Sequence, residues 1–291
     1  GATKLAFLSR SGADKTEAKA TVDWLVERGV EVNVYRGDVS KRADVQSCID
    51  KIGNNLGGVF QAAMVLQDKP LETMTYEQYQ RCCQPKVEGT KNLHESTLGI
   101  DLDFFVCFSS VAAVVGSKGQ ANYSAANCYL DALMRHRREL GLSGTTMNVG
   151  AVTGVGVVAE NEELQKVMLR MGMDMINEEE LLYQLEEAVL ADKSVAPITP
   201  RGCNGHQIIS GVGLISPDVY WAPKPIMKNL YANHDFGAEG ASQSSKNLLA
   251  LLSEEPDVEK KTEILLDGFL EKIASVLATP RESILPSNPL S

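Results

Sequence analysis

The chain has 291 residues, 44% of them hydrophobic and 23% charged, with a formal net charge of −10. At ~150 residues per domain that length suggests two domains, and the acidic excess argues against nucleic acid or an anionic membrane surface as the main partner. No apolar run approaches the ~20 residues of a membrane span, and the six cysteines (Cys48, Cys82, Cys83, Cys107, Cys128, Cys203) form no CxxC pair, so a reduced cytoplasmic globular protein is expected.

In chain order, Lys4–Ser9 is a short apolar run closed by Arg10-Ser11-Gly12, which predicts a buried strand ending in a turn. Lys15–Arg28 carries Ala18, Val22, Leu25 and Val26 at helical spacing, with Gly29 just past its end, where a helix stop belongs. Val30–Tyr35 alternates like a strand, Ala43–Ile52 reads as a helix, and Gly57–Ala63 reads as the next strand. A helix over Tyr76–Thr97, which Pro85 should disturb locally, precedes a nearly continuous apolar strand over Leu102–Ser110, the pattern of a strand covered on both faces. A helix over Tyr123–Leu140 leads to the strand Thr145–Val149. This alternation predicts an α/β fold with a doubly wound parallel sheet.

Beyond it the pattern is less regular. Gly154–Gly172 reads as a mobile flap, Asn177 to about Ala191 as a helix with acids at the positive end of its dipole, and His206–Gly213 as a last strand. Gly237–Asn247 has the composition of a flexible linker. Val258–Leu277 then places Ile264, Leu265, Phe269, Ile273 and Val276 on one face, an amphipathic helix that needs a partner.

A doubly wound sheet predicts a dinucleotide crevice at the carboxyl ends of its strands, with a G-x-G-x-x-G turn after the first. That turn is absent, and Gly53–Gly58 follows a helix and enters a strand, the wrong context for it. Arg10-Ser11 instead suits the second strand of such a fold, where a guanidinium can grip a ribose 2′-phosphate; a solvated turn arginine is the plain alternative. The expectation is that the first strand and its glycine turn lie upstream of Gly1, as though the sequence, which opens Gly1-Ala2 and stops at Pro289-Leu290-Ser291, were cut from a longer polypeptide.

The strongest local signal is Cys107-Phe108-Ser109-Ser110 followed by Tyr123-Ser124-Ala125-Ala126-Asn127. Tyr123 and Asn127 share a helix face, the strand ending at Ser110 reaches the same crevice mouth, and Lys86 lies on the preceding helix. Reducing a carbonyl by hydride generates an alkoxide, so a phenol must deliver a proton and a hydroxyl must hold the oxygen. A phenol titrating near pH ~10 needs a nearby ammonium to serve at neutral pH. Taken singly, each has an ordinary structural reading: Tyr123 as a helix-start aromatic, Lys86 as a solvated charge, Ser109-Ser110 as strand-end polar residues. The four histidines have no ligand spacing, and no metal is expected.

Pro85-Lys86-Val87-Glu88-Gly89-Thr90, Phe108-Ser109-Ser110 and Gly119–Asn127 resemble signatures of the ketoreductase domains of modular fatty acid and polyketide synthases, a branch of the short-chain dehydrogenase/reductases. Phe60–Leu66 and Gln207–Gly211 are most similar to the highly reducing fungal-type synthases, and the likeness runs from about Lys4 to Phe236. The resemblance implies NADPH-dependent reduction of a β-ketoacyl thioester carried on an acyl carrier protein. Tyr123 would be the proton donor and Ser110 would hydrogen-bond the ketone oxygen. Lys86 and Asn127 would position Tyr123 and the nicotinamide ribose. Arg10 and Ser11 would meet the cofactor, Arg10 selecting NADPH over NADH; Asp38 and Val39 would contact the adenine, and Ala62 and Ala63 would line the cofactor. The flap after Gly154 would be the substrate lid. Leu66-Gln67-Asp68 keeps the acidic residue of a Leu-Asp-Asp motif tied to one direction of substrate entry but departs at its middle position.

By the same resemblance, residues 1–236 form the ketoreductase domain, 237–247 the linker and 248–291 the start of an acyl carrier protein domain, with no phosphopantetheine-bearing serine present. A terminal helix docking on the main domain is the alternative for that last part. The partners implied are the carrier-bound substrate and the other domains of the synthase. Two other readings stand beside this one. The chain could be a non-catalytic segment of a synthase that binds no cofactor on its own. It could also be a dehydrogenase of a free small alcohol, although free-standing members usually carry Tyr-x-x-x-Lys and position 127 is Asn.

Overall fold

The computed structural model describes residues 2–154, 165, 168–169, 172–191, 207–212, 221, 227, 251–253, 255–277 and 284. Strands β1 (Lys4–Ser9) and β2 (Glu31–Arg36) flank helix α1 (Thr16–Glu27), and helix α2 (Arg42–Ile52) follows. Next come β3 (Gly58–Gln61), α3 (Tyr76–Thr97), β4 (Phe104–Ser110), the short α4 (Ala112–Val115), α5 (Ala121–Glu139) and β5 (Thr145–Val149). The later elements are β6 (Ala151–Val152), β7 (Met175–Ile176), α6 (Glu178–Leu190), β8 (Gln207–Ile209) and α7 (Val258–Leu277). All ladders between these strands are parallel, which is the arrangement that strand–helix–strand crossovers impose.

Two compact units are present: Gly1–Val149 with Glu179–Ser210, and Gly150–Glu178 with Gly211–Ser291. In the first, β3-β4-β5-β8 form a four-stranded sheet and β1-β2 a separate two-stranded one. Strand β4 shows why a near-continuous apolar run marks a central strand. On one face Phe105 and Cys107 pack with Val59, Leu130 and Met134. On the other, Val106 packs with Met147 and Ala188, flanked by Phe104, Phe108, Leu181 and Leu185. The period of two thus feeds two cores. Gly58 is dictated by close approach, since a Cβ there would sit 2.3 Å from Cζ of Phe104.

Pro85 does not break α3: the helix is continuous from Tyr76 to Thr97 with Pro85 inside it. Thr75 and Gln78 close a reciprocal capping box at its start, and the Pro85 carbonyl accepts from Gln61 Nε2 at 2.9 Å. Glycine at position 89 lets the helix pass close to two neighbouring elements; a Cβ there would lie 2.8 Å from Cγ1 of Val39 and 3.0 Å from Nε2 of Gln61.

In the second unit β6 pairs with β7, and Leu270 and Ala274 of α7 are buried with Ile284 while Ile273 packs beside them. This corrects the expected face of that helix. Leu265 and Phe269 are 50% and 61% exposed, and the stripe buried with Ile284 lies one residue further round. The glycine- and serine-rich stretch 237–247, the end of the carrier-like segment from 285, and most of the 154–172 flap lie outside the described residues. Among the described residues no helix is long and apolar enough to cross a membrane.

Candidate active site

Parallel strands deliver their carboxyl ends to one edge, and the chemistry-bearing side chains sit there. Ser110 is the last residue of β4, 8% exposed. Its Oγ accepts from the backbone N–H of Ala112 at 3.1 Å, which leaves the hydroxyl hydrogen available to donate. Tyr123 lies in the first turn of α5 and Asn127 one turn later. The Asn127 amide nitrogen donates to the Tyr123 carbonyl at 2.9 Å, and its buried Oδ1 has no hydrogen-bond partner among the described residues. Lys86 comes in from α3. Its ammonium is 5.5 Å from the centre of the Tyr123 ring and donates to the Phe108 carbonyl at 2.8 Å. The structure therefore brings Tyr123, Ser110, Asn127 and Lys86 together.

Burial sets the electrostatics. Lys86 is only 2% exposed, and desolvation brings its pKa down to about 8, partly opposed by the thiols Cys107 and Cys82 and by Asp131. The Tyr123 phenol is raised, first by desolvation, although Ser110 and Asn127 face it and favour ionisation. The Lys86 ammonium, turned toward the Phe108 carbonyl, does not bring the phenol down as the sequence argument expected. Tyr123 instead holds its proton firmly at neutral pH, the state a proton donor needs. The buried thiols are poor nucleophiles, Cys107 being pushed up to about 12 and Cys82 to about 11 by burial.

The residues expected at a cofactor lie on the same strand ends. Arg10 and Ser11 follow β1, Asp38 and Val39 follow β2, and Ala62 and Ala63 follow β3. Asp38 is lowered: burial works against its charge, but the hydroxyl and N–H of Ser40 outweigh it, helped by Arg10 and Lys41. Ser40 Oγ reaches Asp38 Oδ1 at 2.7 Å, so one carboxylate oxygen is committed to that turn. The Val39 carbonyl accepts from Asn92 of α3 at 3.0 Å. Arg10 is exposed and is in no salt bridge among the described residues.

Two buried polar residues that frame the site escaped the sequence reading. Gln61, 3% exposed, accepts from the Ala63 N–H at 3.0 Å and donates to Pro85 and Thr90, fixing the turn after β3 against α3. Asn122, fully buried, donates to the Gln67 carbonyl at 2.9 Å and accepts from the Tyr123 N–H at 2.8 Å. Gln120 also reaches Asp68 at 2.8 Å. The signal for each was a polar side chain beside apolar ones, in a strand or at a helix start, where burial requires a partner.

The KR domain family matches residues 1–154 of the chain. Over its whole length the chain is 57% identical to a hybrid PKS-NRPS synthetase, pynA, of Aspergillus niger, and it spans 7% of that protein. It is 35% identical, over 95% of its length, to the reducing polyketide synthase DEP5 of Alternaria brassicicola, of which it spans 12%. Among solved structures it resembles A-type ketoreductases from a modular polyketide synthase, with a TM-score of 0.66 and 31% identity over 76% of this chain and 44% of that one. A ketoreductase from the first module of phoslactomycin biosynthesis in Streptomyces sp. HK803 gives a TM-score of 0.68 at 25% identity, over 82% of this chain and 52% of that one.

Proposed function

The chain belongs to the KR domain family, the ketoreductase domains of polyketide synthases, and on that premise we propose that it reduces a β-ketoacyl thioester, held on an acyl carrier protein, to the β-hydroxyacyl thioester. The observation that carries this reading is the convergence of Tyr123, Ser110, Asn127 and Lys86 at one strand edge, with the Lys86 ammonium 5.5 Å from the Tyr123 ring. When bound, a nicotinamide cofactor supplies the hydride. Ser110 Oγ, one of whose lone pairs is taken by the Ala112 N–H, donates its hydrogen to the ketone oxygen and fixes the carbonyl against Tyr123. Tyr123 Oη gives its proton to that oxygen as negative charge develops on it. Asn127, which with Ser110 favours the ionised phenol, and Lys86, 5.5 Å from the ring centre, then face the phenolate.

The donor set fits NADPH at its two ends. The unpartnered Asn127 Oδ1 and the Lys86 ammonium suit the hydroxyls of the nicotinamide ribose. Arg10, exposed and in no salt bridge among the described residues, suits a 2′-phosphate and would select NADPH over NADH, while Asp38, Val39, Ala62 and Ala63 would flank the adenine and the bridge. Residues 1–236 would carry this activity, the 237–247 stretch would link it onward, and the helix Val258–Leu277 would open a carrier domain. The other domains of a cytoplasmic synthase would be its partners.

The pyrophosphate has less support. The sheet is divided into β1-β2 and β3-β4-β5-β8, and the glycine-rich turn that cradles phosphates does not occur in these 291 residues. That favours a second statement: the 291-residue chain by itself holds NADPH weakly, and the activity belongs to the synthase that carries it. Fluorescence titration of the isolated chain with NADPH tests this, with weak or no quenching expected and micromolar binding contradicting it. Assay of the synthase on a carrier-bound β-ketoacyl thioester against simple ketones tests the substrate class; equal turnover of both would overturn it.

A further inference from the structure

The penultimate residue of β5 carries a polar side chain that no step above uses. Asn148 is fully buried, between β4 and β8, paired in register with Ser109 on one side and Ile209 on the other. An amide at such a place is costly unless each of its polar atoms is satisfied, and here all are. The two hydrogens of its Nδ2 are shared among three acceptors, the Asp131 carboxylate at 2.9 Å, Ser109 Oγ at 3.1 Å and the Ser110 carbonyl at 3.2 Å. Its Oδ1 accepts from Gln207 Nε2 at 3.0 Å. Ser109 Oγ in turn donates to the Asn127 carbonyl at 3.4 Å.

These bonds have a common destination. Tyr123, Asn127 and Asp131 are spaced four residues apart on α5, so they lie along one face of the helix. Asn148 grips that face through Asp131, and through Ser109 at Asn127. With the same amide it grips the end of β4 at the Ser110 carbonyl. Ser110 and Tyr123 sit on different elements, and only the relative placement of those elements decides whether both reach one ketone oxygen. A carboxylate can only accept, so Asp131 fixes which end of the Asn148 amide faces α5; Gln207 on β8 then holds the other end.

We propose that Asn148 is a positioning residue for the reduction: it sets the distance and angle between the Ser110 hydroxyl at the end of β4 and the Tyr123 phenol at the start of α5. The proposal rests on the ketoreductase reading for its catalytic half and on the hydrogen-bond network alone for its structural half.

The experiment compares the wild-type synthase with Asn148→Ala, Ser110→Ala and the double variant, by steady-state kinetics on a β-ketoacyl thioester and by hydrogen–deuterium exchange. Asn148→Ala is expected to lower kcat at least about tenfold, with KM for thioester and NADPH changed by less than about twofold, as misplacement of reacting groups does. Because Asn148 acts through Ser110, the double variant should be no more than about twofold slower than Ser110→Ala alone. Loss of folding stability would act independently and multiply the two effects. Multiplied losses, or a change confined to KM, would overturn the proposal.

Exchange at the amides of Ser109 to Ala112 should quicken in Asn148→Ala while β1 is unchanged; unchanged protection at Ser109 to Ala112 would overturn it. If the wild type reduces no thioester, the ketoreductase reading fails, and exchange alone decides whether Asn148 holds the two elements. If Asn148→Ala does not fold, Ser109→Ala removes one arm of the network and undergoes the same comparison. A smaller, non-multiplying kcat loss supports the proposal, and wild-type kcat overturns it.

Discussion

The Lys86 ammonium, 2% exposed, donates to the backbone carbonyl of Phe108 at 2.8 Å, two residues before Ser110 on the same strand. It therefore ties α3 to the strand end that carries the candidate oxygen-binding hydroxyl, and it keeps a charge beside Tyr123 where water is excluded.

Desolvation lowers Lys86 from 10.5 to about 8. Below pH 8 both the folded and unfolded chains carry the proton, and folding must bury a charge. Between about 8 and 10.5 the folded chain releases the proton while the unfolded one keeps it, so stability rises with pH across that window. Activity runs the other way, because loss of the charge removes the group facing the phenolate. We expect kcat to fall as pH rises through about 8. Lys86→Met should lose activity about a hundredfold and lose the stability rise between pH 8 and 10.5. Denaturant midpoints and kcat measured across that range check both.

Gly89 lies where α3 meets Val39 and Gln61. A methyl group there would meet Cγ1 of Val39 at 2.8 Å and Gln61 Nε2 at 3.0 Å, so one neighbour must move. Gly89→Ala is expected to destabilise by about 1–3 kcal/mol despite the better helix propensity of alanine. It should also weaken cofactor binding, since Val39 and the turn held by Gln61 shift together. Equilibrium unfolding and an NADPH titration of the synthase variant measure the two effects.

His94 provides an acid-side handle away from the site. The Arg137 guanidinium can only donate, so at 2.9 Å the Nδ1 of His94 must be the acceptor and the ring neutral. Arg137 is itself buried at 1% exposure. Desolvation first, then the charge of Arg137, lowers His94 below its ordinary 6.5. The bond's stabilisation is fully present above pH 6.5 and is lost as pH falls below it, when the unfolded chain binds a proton that the folded one resists. His94→Gln, which keeps an acceptor and does not titrate, should show a smaller drop in unfolding midpoint between pH 7 and 5 than the wild type.

How far the sequence carried this can be seen residue by residue. Helix α3 was readable to its ends, Tyr76 and Thr97, where the structure adds the Thr75–Gln78 capping box at its start, and β5 was readable as a compact run. Pro85 sits inside a continuous helix, although its missing N–H leaves the Arg81 carbonyl without its usual intrahelical donor. The four residues Tyr123, Ser110, Asn127 and Lys86 were visible as a pattern. Their burial was not, and burial is what lowers Lys86 and raises Tyr123. Gln61, Asn122 and Asn148 stayed hidden because their partners lie 24 or more positions away for the long bonds, and chain order does not show such pairings. For α7, the periodicity identified the helix but chose a stripe one residue away from the one Ile284 covers.

The most direct test of the account is Tyr123→Phe in the synthase, assayed for NADPH-dependent reduction of a β-ketoacyl thioester alongside NADPH affinity. The account predicts that reduction falls by at least about a hundredfold while NADPH binds within about twofold of the wild type, because only the proton donor is gone. Wild-type turnover in that variant would contradict it.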